Sequence, residues 1–290
     1  MTSENMTFYE LSVITNTGFP YYHLRVKDPP KNVKLFLRFF DFSESKSDPV
    51  LNLDPVSSFE LNAGLVSALF EFARNLDKKI EILEFNTNKE ANHFDKDSEY
   101  NGDVLITTQT EPYLLHKSVH QKMKLIYNSI IVDKIPLDSA LEILQNEEDL
   151  ILDILMDKEA RDRIQANNYE ISKLGYNLLS EMKDYGLNGI CVTSFDLSPI
   201  IVFGKKYSLN DIGKILRHIG IFGEISPMEW IYRQSYLLQE QIWVYIINSG
   251  VGPTVNGLFE SYFYLLFAEP QSYLGEFPGI LATKFNQILG

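Results

Sequence analysis

SSFELNAGLVSALFEFARNL, residues 57–76, is the stretch on which the fold turns. Wound at about 100° per residue, it gathers Leu61, Leu65, Ala68, Leu69, Phe72 and Leu76 into one sector. Phe59, Val66, Phe70 and Ala73 form a second sector beside the first, and Glu60, Ser67, Glu71, Arg74 and Asn75 share the remaining arc. A surface helix carries an apolar stripe somewhat over 100° wide, whereas this one spans roughly 200°. One sector can cover a sheet, and the second needs another owner. Ser57 or Ser58 is placed to cap the helix, with Glu60 favourably near its positive end.

Outward from that helix, the first half alternates strands and turns. Residues 8–15 (FYELSVIT) and 21–26 (YYHLRV) flank Asn16-Thr17-Gly18 and read as a hairpin. Residues 33–42 (VKLFLRFFDF) read equally as an added strand or as a short amphipathic helix. Residues 43–55, rich in Ser, Asp and Pro, read as a loop. After the helix, 79–85 (KIEILEF) alternates as the third strand, with a short strand near 91–94. Asn101-Gly102 turns into a further strand at 103–108, and 113–131 repeats apolar residues at helical spacing.

Two long helices are expected next, at 136–156 and 158–185, the second ended by Gly186. Six acids against one base between 147 and 159 read as a solvated helix face. From residue 189 the order of the first half returns. A hairpin (190–195, 199–204) is followed by a helix (208–222) and two strands (230–238, 241–248). A turn-rich connection (249–257), a strand (261–268) and a closing helix (277–289) complete it.

The chain of 290 residues is long enough for two ordinary domains. With 45% hydrophobic and 13% aromatic residues it is a core-forming protein. Its 26 basic and 39 acidic residues give a net charge of −13, which opposes binding to nucleic acid and electrostatic docking on anionic lipid. The single cysteine, Cys191, excludes an intrachain disulfide and a cysteine zinc cage. No secretory signal is visible, and the longest apolar runs fall well short of the roughly 20 residues of a membrane span. A cytoplasmic protein without direct membrane insertion is expected.

The first half resembles the longin domain of the roadblock/longin superfamily, in its archaeal form related to eukaryotic trafficking GTPase regulators. The resemblance rests on the hairpin turn Gly18-Phe19-Pro20-Tyr21-Tyr22, on the small-residue helix AGLVSALFEFA (63–73), and on the strand directly after it. Ala63 stands where the family pattern prefers Ser, and 31–55 is an insertion. The second half is similar through its element order and through Asp196-Leu197-Ser198-Pro199-Ile200. The fold implied is α+β: longin-like domains at 1–134 and 187–290, joined by a helical segment at 135–186. Each domain is expected to hold a mainly antiparallel five-stranded sheet with flanking helices. Such domains carry no common catalytic group. The resemblance implies a non-enzymatic regulatory or adaptor protein that binds a small GTPase, with nucleotide exchange as one mode of action. It implies work as a homodimer or with another longin or roadblock subunit. Phe59, Val66, Phe70 and Ala73 are the candidate partner interface, unless the middle helices or the second domain bury them. A structural tether without effect on exchange, and a ligand-binding or enzymatic α/β protein, are the alternatives.

No catalytic, cofactor-binding or metal site is assigned. His116 and His120 share a helix face at i, i+4, but no H-E-x-x-H or third ligand accompanies them. Asp95, Asp97 and Glu99 begin like a calcium loop, yet Tyr100 takes the place of the required glycine and Ile106 that of the final acid. SGVGPT (249–254) lacks the Gly-Lys-Ser/Thr ending of a phosphate loop and reads as a strand connection.

Overall fold

The computed structural model describes residues 6–15, 20–31, 33–42, 63–64, 67–68, 71, 74, 104–134 and 142–290. They divide between two units, one comprising Met1–Ser43 with Asn101–Gly290, the other Glu44–Tyr100. In the second unit the described residues 63, 64, 67, 68, 71 and 74 are helical and exposed. Arg74 and Glu71 form an i,i+3 ion pair there. Ala68, which periodicity turns inward, is therefore on the outside. Phe59, Val66, Phe70 and Ala73, and the strands expected at 79–85 and 91–94, lie outside the described residues.

The first unit holds a chain of mixed α+β class with antiparallel sheets. β1 (Phe8–Thr15), β2 (Pro20–Arg25), β3 (Phe36–Asp41) and β4 (Val104–Thr110) form a sheet of order β2-β1-β4-β3. Residues 33–42 thus resolve as strand rather than helix. β3 lies beside β4, and the first sheet has four strands among the described residues; the further strands expected of it, at 79–85 and 91–94, lie outside them. In β1, buried Tyr9, Leu11 and Val13 alternate with partly exposed Glu10 and Ser12, the period of a strand with one covered face.

α1 (His116–Ile126) follows, running on through a π-helical turn at Tyr127–Ile131. α2 (Gln145–Leu155), α3 (Lys158–Ala166) and α4 (Asn168–Glu181) come next. The single helix expected over 158–185 is instead two. Asn167 breaks it, its side-chain amide donating to the Arg163 carbonyl at 2.9 Å, a local bond that competes with helix propagation. α2 starts later than expected, at Gln145, where the Glu147 carboxylate accepts from the Leu144 N–H. Gly186, at φ 83°, closes the end of the α4 region as anticipated.

The second sheet comprises β5 (Leu187–Thr193), β6 (Pro199–Phe203), β7 (Trp230–Leu237), β8 (Glu240–Asn248) and β11 (Phe263–Ala268), in the order β6-β5-β11-β8-β7. A short hairpin of β9 (Thr254–Val255) and β10 (Leu258–Phe259) precedes the last strand. α5 (Leu209–Leu216) lies between β6 and β7, and α6 (Phe277–Leu289) closes the chain. Alternate residues of a strand face opposite sides. Trp230 packs towards Gly279 of α6, whereas the Ser235 hydroxyl donates to the Ile215 carbonyl of α5, so the two helices cover opposite faces. Both faces being covered, the central strand β11 is buried at every position, which is why FYLLFA reads as an unbroken apolar run. α5 is shorter than the expected 208–222. It opens on a reciprocal cap in which Ser208 and Asp211 satisfy each other's backbone, and left-handed Gly220 lies beyond its end.

Among the described residues no helix is long and apolar enough to cross a membrane.

Candidate functional site

The two sheets meet at a buried cluster of charge. Lys122 projects from α1, Asp196 from the β5–β6 turn, and Asp157 from the junction of α2 and α3; all three side chains are fully buried. Lys122 Nζ lies 2.5 Å from Asp196 Oδ2 and donates to the Leu155 carbonyl at 3.2 Å. Asp157 Oδ1 is 2.7 Å from the same nitrogen, an ion-pair contact without the alignment of a hydrogen bond. The ammonium also faces the rings of Phe8 and Phe195 at 4.9 and 5.4 Å from their centres.

Local sequence explains each placement. Asp157 adopts a left-handed conformation, φ 53°, which ends α2 and starts α3 so that its side chain turns inward. Asp196 is held by its own turn: Oδ1 accepts from the Ser198 N–H at 2.8 Å and the Ser194 hydroxyl at 2.7 Å. Left-handed Leu197 completes that turn. The first half closes over it. Thr7 and Ser198 share a hydroxyl bond at 2.7 Å, Ser118 donates to the Phe195 carbonyl, and the Leu115 N–H donates to the Asp196 carbonyl.

Burial alone would lower the Lys122 ammonium, but Asp157 and Asp196 outweigh it and the group stays charged. Burial likewise opposes ionisation of Asp196, and Lys122 more than reverses this, holding the carboxyl below its ordinary range. Asp157 has fewer partners. Burial, then the Asp196 charge, pushes its carboxyl up to about 6. Burial and the Asp157 charge push nearby Glu260, itself 5% exposed, up to about 8. The cluster therefore holds one cation among three acids; at neutrality Glu260 keeps its proton, whereas Asp157 has given up most of its own.

A second link lies at the same end of β1, where the Glu111 N–H donates to the Thr7 carbonyl. Glu111, just past β4, receives Arg217 Nε and Nη2 at 2.7 and 2.6 Å, a bidentate pair joining the first sheet to the end of α5. The Tyr9 hydroxyl donates to the same carboxylate. Beside the buried cluster opens a cleft of about 520 Å³, lined by Met6, Phe8, Leu155, Met156, Ile164 and Ile200, with Arg161 and Asp162 among its polar groups.

His116 and His120 both stack on Phe40, at 5.5 and 5.4 Å between ring centres, so this helix face is a packing surface. Burial, followed by the Arg38 charge, keeps His116 below its usual range. The 249–254 stretch is a tight strand connection in which Ser249 accepts from the Val251 N–H and Gly252 lies against the Glu260 backbone. Asp95, Asp97 and Glu99 lie outside the described residues. Cys191 is fully buried, and burial pushes its thiol up, away from reactivity. Sequence reasoning did not single out Lys122, Asp157, Glu111, Arg217 or Glu260. One signal was present: Lys122 sits at three- and four-residue steps from Val119 and Ile126, inside the inward face of α1.

No protein-family model matches this chain, and neither does any curated protein.

The raised carboxyls set a pH dependence. Asp157 and Glu260 hold their protons more tightly in the folded chain, so their contribution to stability is present at low pH and lost as pH rises. The windows run from 3.8 to about 6 for Asp157 and from 4.5 to about 8 for Glu260. Asp196 acts oppositely, its contribution being lost as pH falls below 3.8. Thermal melting should give a midpoint roughly 5 °C higher near pH 5.5 than near pH 8, and Glu260→Gln should flatten that slope. A midpoint that climbs steadily over the same interval would contradict it.

Proposed function

We propose that this chain is a non-enzymatic regulatory or adaptor protein of longin-like build that binds a small GTPase, with nucleotide exchange as one mode of action. The proposed division is a longin-like domain at 1–134, a helical elaboration at 135–186 and a second longin-like domain at 187–290. One observation carries the reading. The second sheet combines hairpin, helix, paired strands, closing strand and closing helix in the expected order, with five antiparallel strands and helices on both faces. The charged groups brought together between the sheets support it too, because their bonds are made to one another and to the chain. In such a protein the work lies in surfaces: an exchange factor stabilises the nucleotide-free partner by differential contact.

A nucleotide-release assay separates the two modes. Faster loss of labelled GDP from a bound GTPase supports an exchange factor, whereas a complex with an unchanged release rate supports a tether. The cleft beside Lys122 favours a different reading, a small-molecule site, since its volume lies in the range of ligand pockets and most of its lining is apolar. That reading requires a ligand-dependent rise in melting temperature when amphipathic metabolites are screened. A flat screen would leave the cleft as a packing defect.

A further inference from the structure

The cleft beside the buried cluster has two unlike parts. Its floor is apolar: Phe8, Leu155 and Ile164 are each no more than 3% exposed, and half-buried Met156 and Ile200 continue it outward. The hydroxyls of that floor are already used, since Thr7 and Ser198 bond each other. The cation of the lining is Arg161, half-buried on α3. Its Nε donates to the Met156 carbonyl at 2.7 Å and its Nη2 to the Pro199 carbonyl at 3.2 Å. The guanidinium is thereby braced between the end of α2 and the start of β6, by partners that carry no charge. Among the described residues Nη1 receives no bond and Arg161 has no counter-ion.

These features select the occupant. A braced guanidinium with an unused nitrogen offers a charge-assisted bond to an anion, and its position is fixed before the anion arrives. Asp162, the acid of the lining, is exposed, so water and salt screen its charge more than that of Arg161. One arginine matches one negative charge. A polyanion such as a nucleotide would meet the net charge of −13 with too few cations to offset it. The rest of the ligand must be apolar, because the floor offers no open donor or acceptor among its side chains. Apart from Phe8 that floor is aliphatic, and the thioether of Met156 adapts to a flexible chain better than to a rigid ring. At about 520 Å³ the cleft is in the size range of small-ligand pockets.

We infer that the cleft binds a single aliphatic chain ending in a carboxylate, a fatty acid, with the carboxylate on Arg161 and the chain along Phe8, Leu155, Ile164 and Ile200. The inference rests on the small-molecule reading of the cleft and names its ligand; GTPase binding through other surfaces stands or falls separately. Calorimetric titration of the full chain with sodium dodecanoate, below its micelle concentration, should show one site dissociating on the order of 10 µM. Each buried methylene is worth about fourfold in affinity, so decanoate should bind roughly fifteenfold more weakly. Dodecanol, the same chain without the charge, should bind about tenfold more weakly than dodecanoate. Arg161→Gln should erase the preference for the carboxylate and keep the dependence on chain length. Met156→Trp, which fills the cleft and leaves Arg161 in place, should abolish binding of both. If Arg161→Gln does not fold, the comparison of dodecanoate with dodecanol on the wild-type chain decides the matter. No saturable binding of dodecanoate, equal affinity for dodecanoate and decanoate, equal affinity for dodecanoate and dodecanol, or a carboxylate preference that survives Arg161→Gln would each overturn the inference. Should dodecanoate fail while another class of amphipath raises the melting temperature, this ligand is wrong and the small-molecule reading of the cleft stands.

Discussion

Replacing Lys122 with Met should lower the melting temperature by about 10 °C, corresponding to a loss of roughly 3–5 kcal/mol. The cause is what stays behind. Asp196 and Asp157 would remain buried with no cation, and Asp157 already lacks an aligned donor. Removing one member of a buried ionic group costs far more than the group contributes when complete. A second variant isolates this effect: adding Asp196→Asn to Lys122→Met removes the stranded charge and should recover part of the loss. Thermal denaturation of both variants near neutral pH checks the pair. If Lys122→Met melts within a degree or two of wild type, the cluster does not hold the sheets together.

The second large effect is expected at Gly252. A Cβ placed there would come 1.8 Å from the Glu260 carbonyl oxygen and 2.7 Å from its carbon, both backbone atoms with little freedom to retreat. The Glu260 N–H in turn bonds the Pro253 carbonyl, and the Tyr262 N–H bonds the Val251 carbonyl, so the two segments cannot separate cheaply. Gly252→Ala should cost about 3 kcal/mol or more, read as a drop in melting temperature, because overpacking against fixed backbone is among the strongest single-residue effects. A glycine serving a phosphate instead would leave stability without that ligand nearly untouched.

Legibility in the sequence followed the physics of each element. β11 and α6 were readable because FYLLFA and the closing apolar helix carry their burial in composition alone. The hairpin at Asp196 was readable from turn chemistry. β3 was not decided, since VKLFLRFFDF satisfies both periods and only its pairing with β4 selects the strand. The break at Asn167 escaped because helical spacing continues through it, and a single side-chain bond to Arg163 ends the helix. The buried cluster was the least legible part. Asp157 lies in an acidic run that reads as a solvated face, and its inward turn depends on a left-handed backbone that no local pattern requires of an aspartate. The Glu111–Arg217 pair joins residues 106 positions apart, a distance that periodicity does not reach.

The most direct measurement is retention of small GTPases from the same genome on the immobilised full chain, each offered nucleotide-free, with GDP and with a GTP analogue. Selective retention of at least one, strongest in the nucleotide-free form for an exchange factor, is the expected result. No retention of any of them in any nucleotide state would contradict a GTPase-binding platform outright.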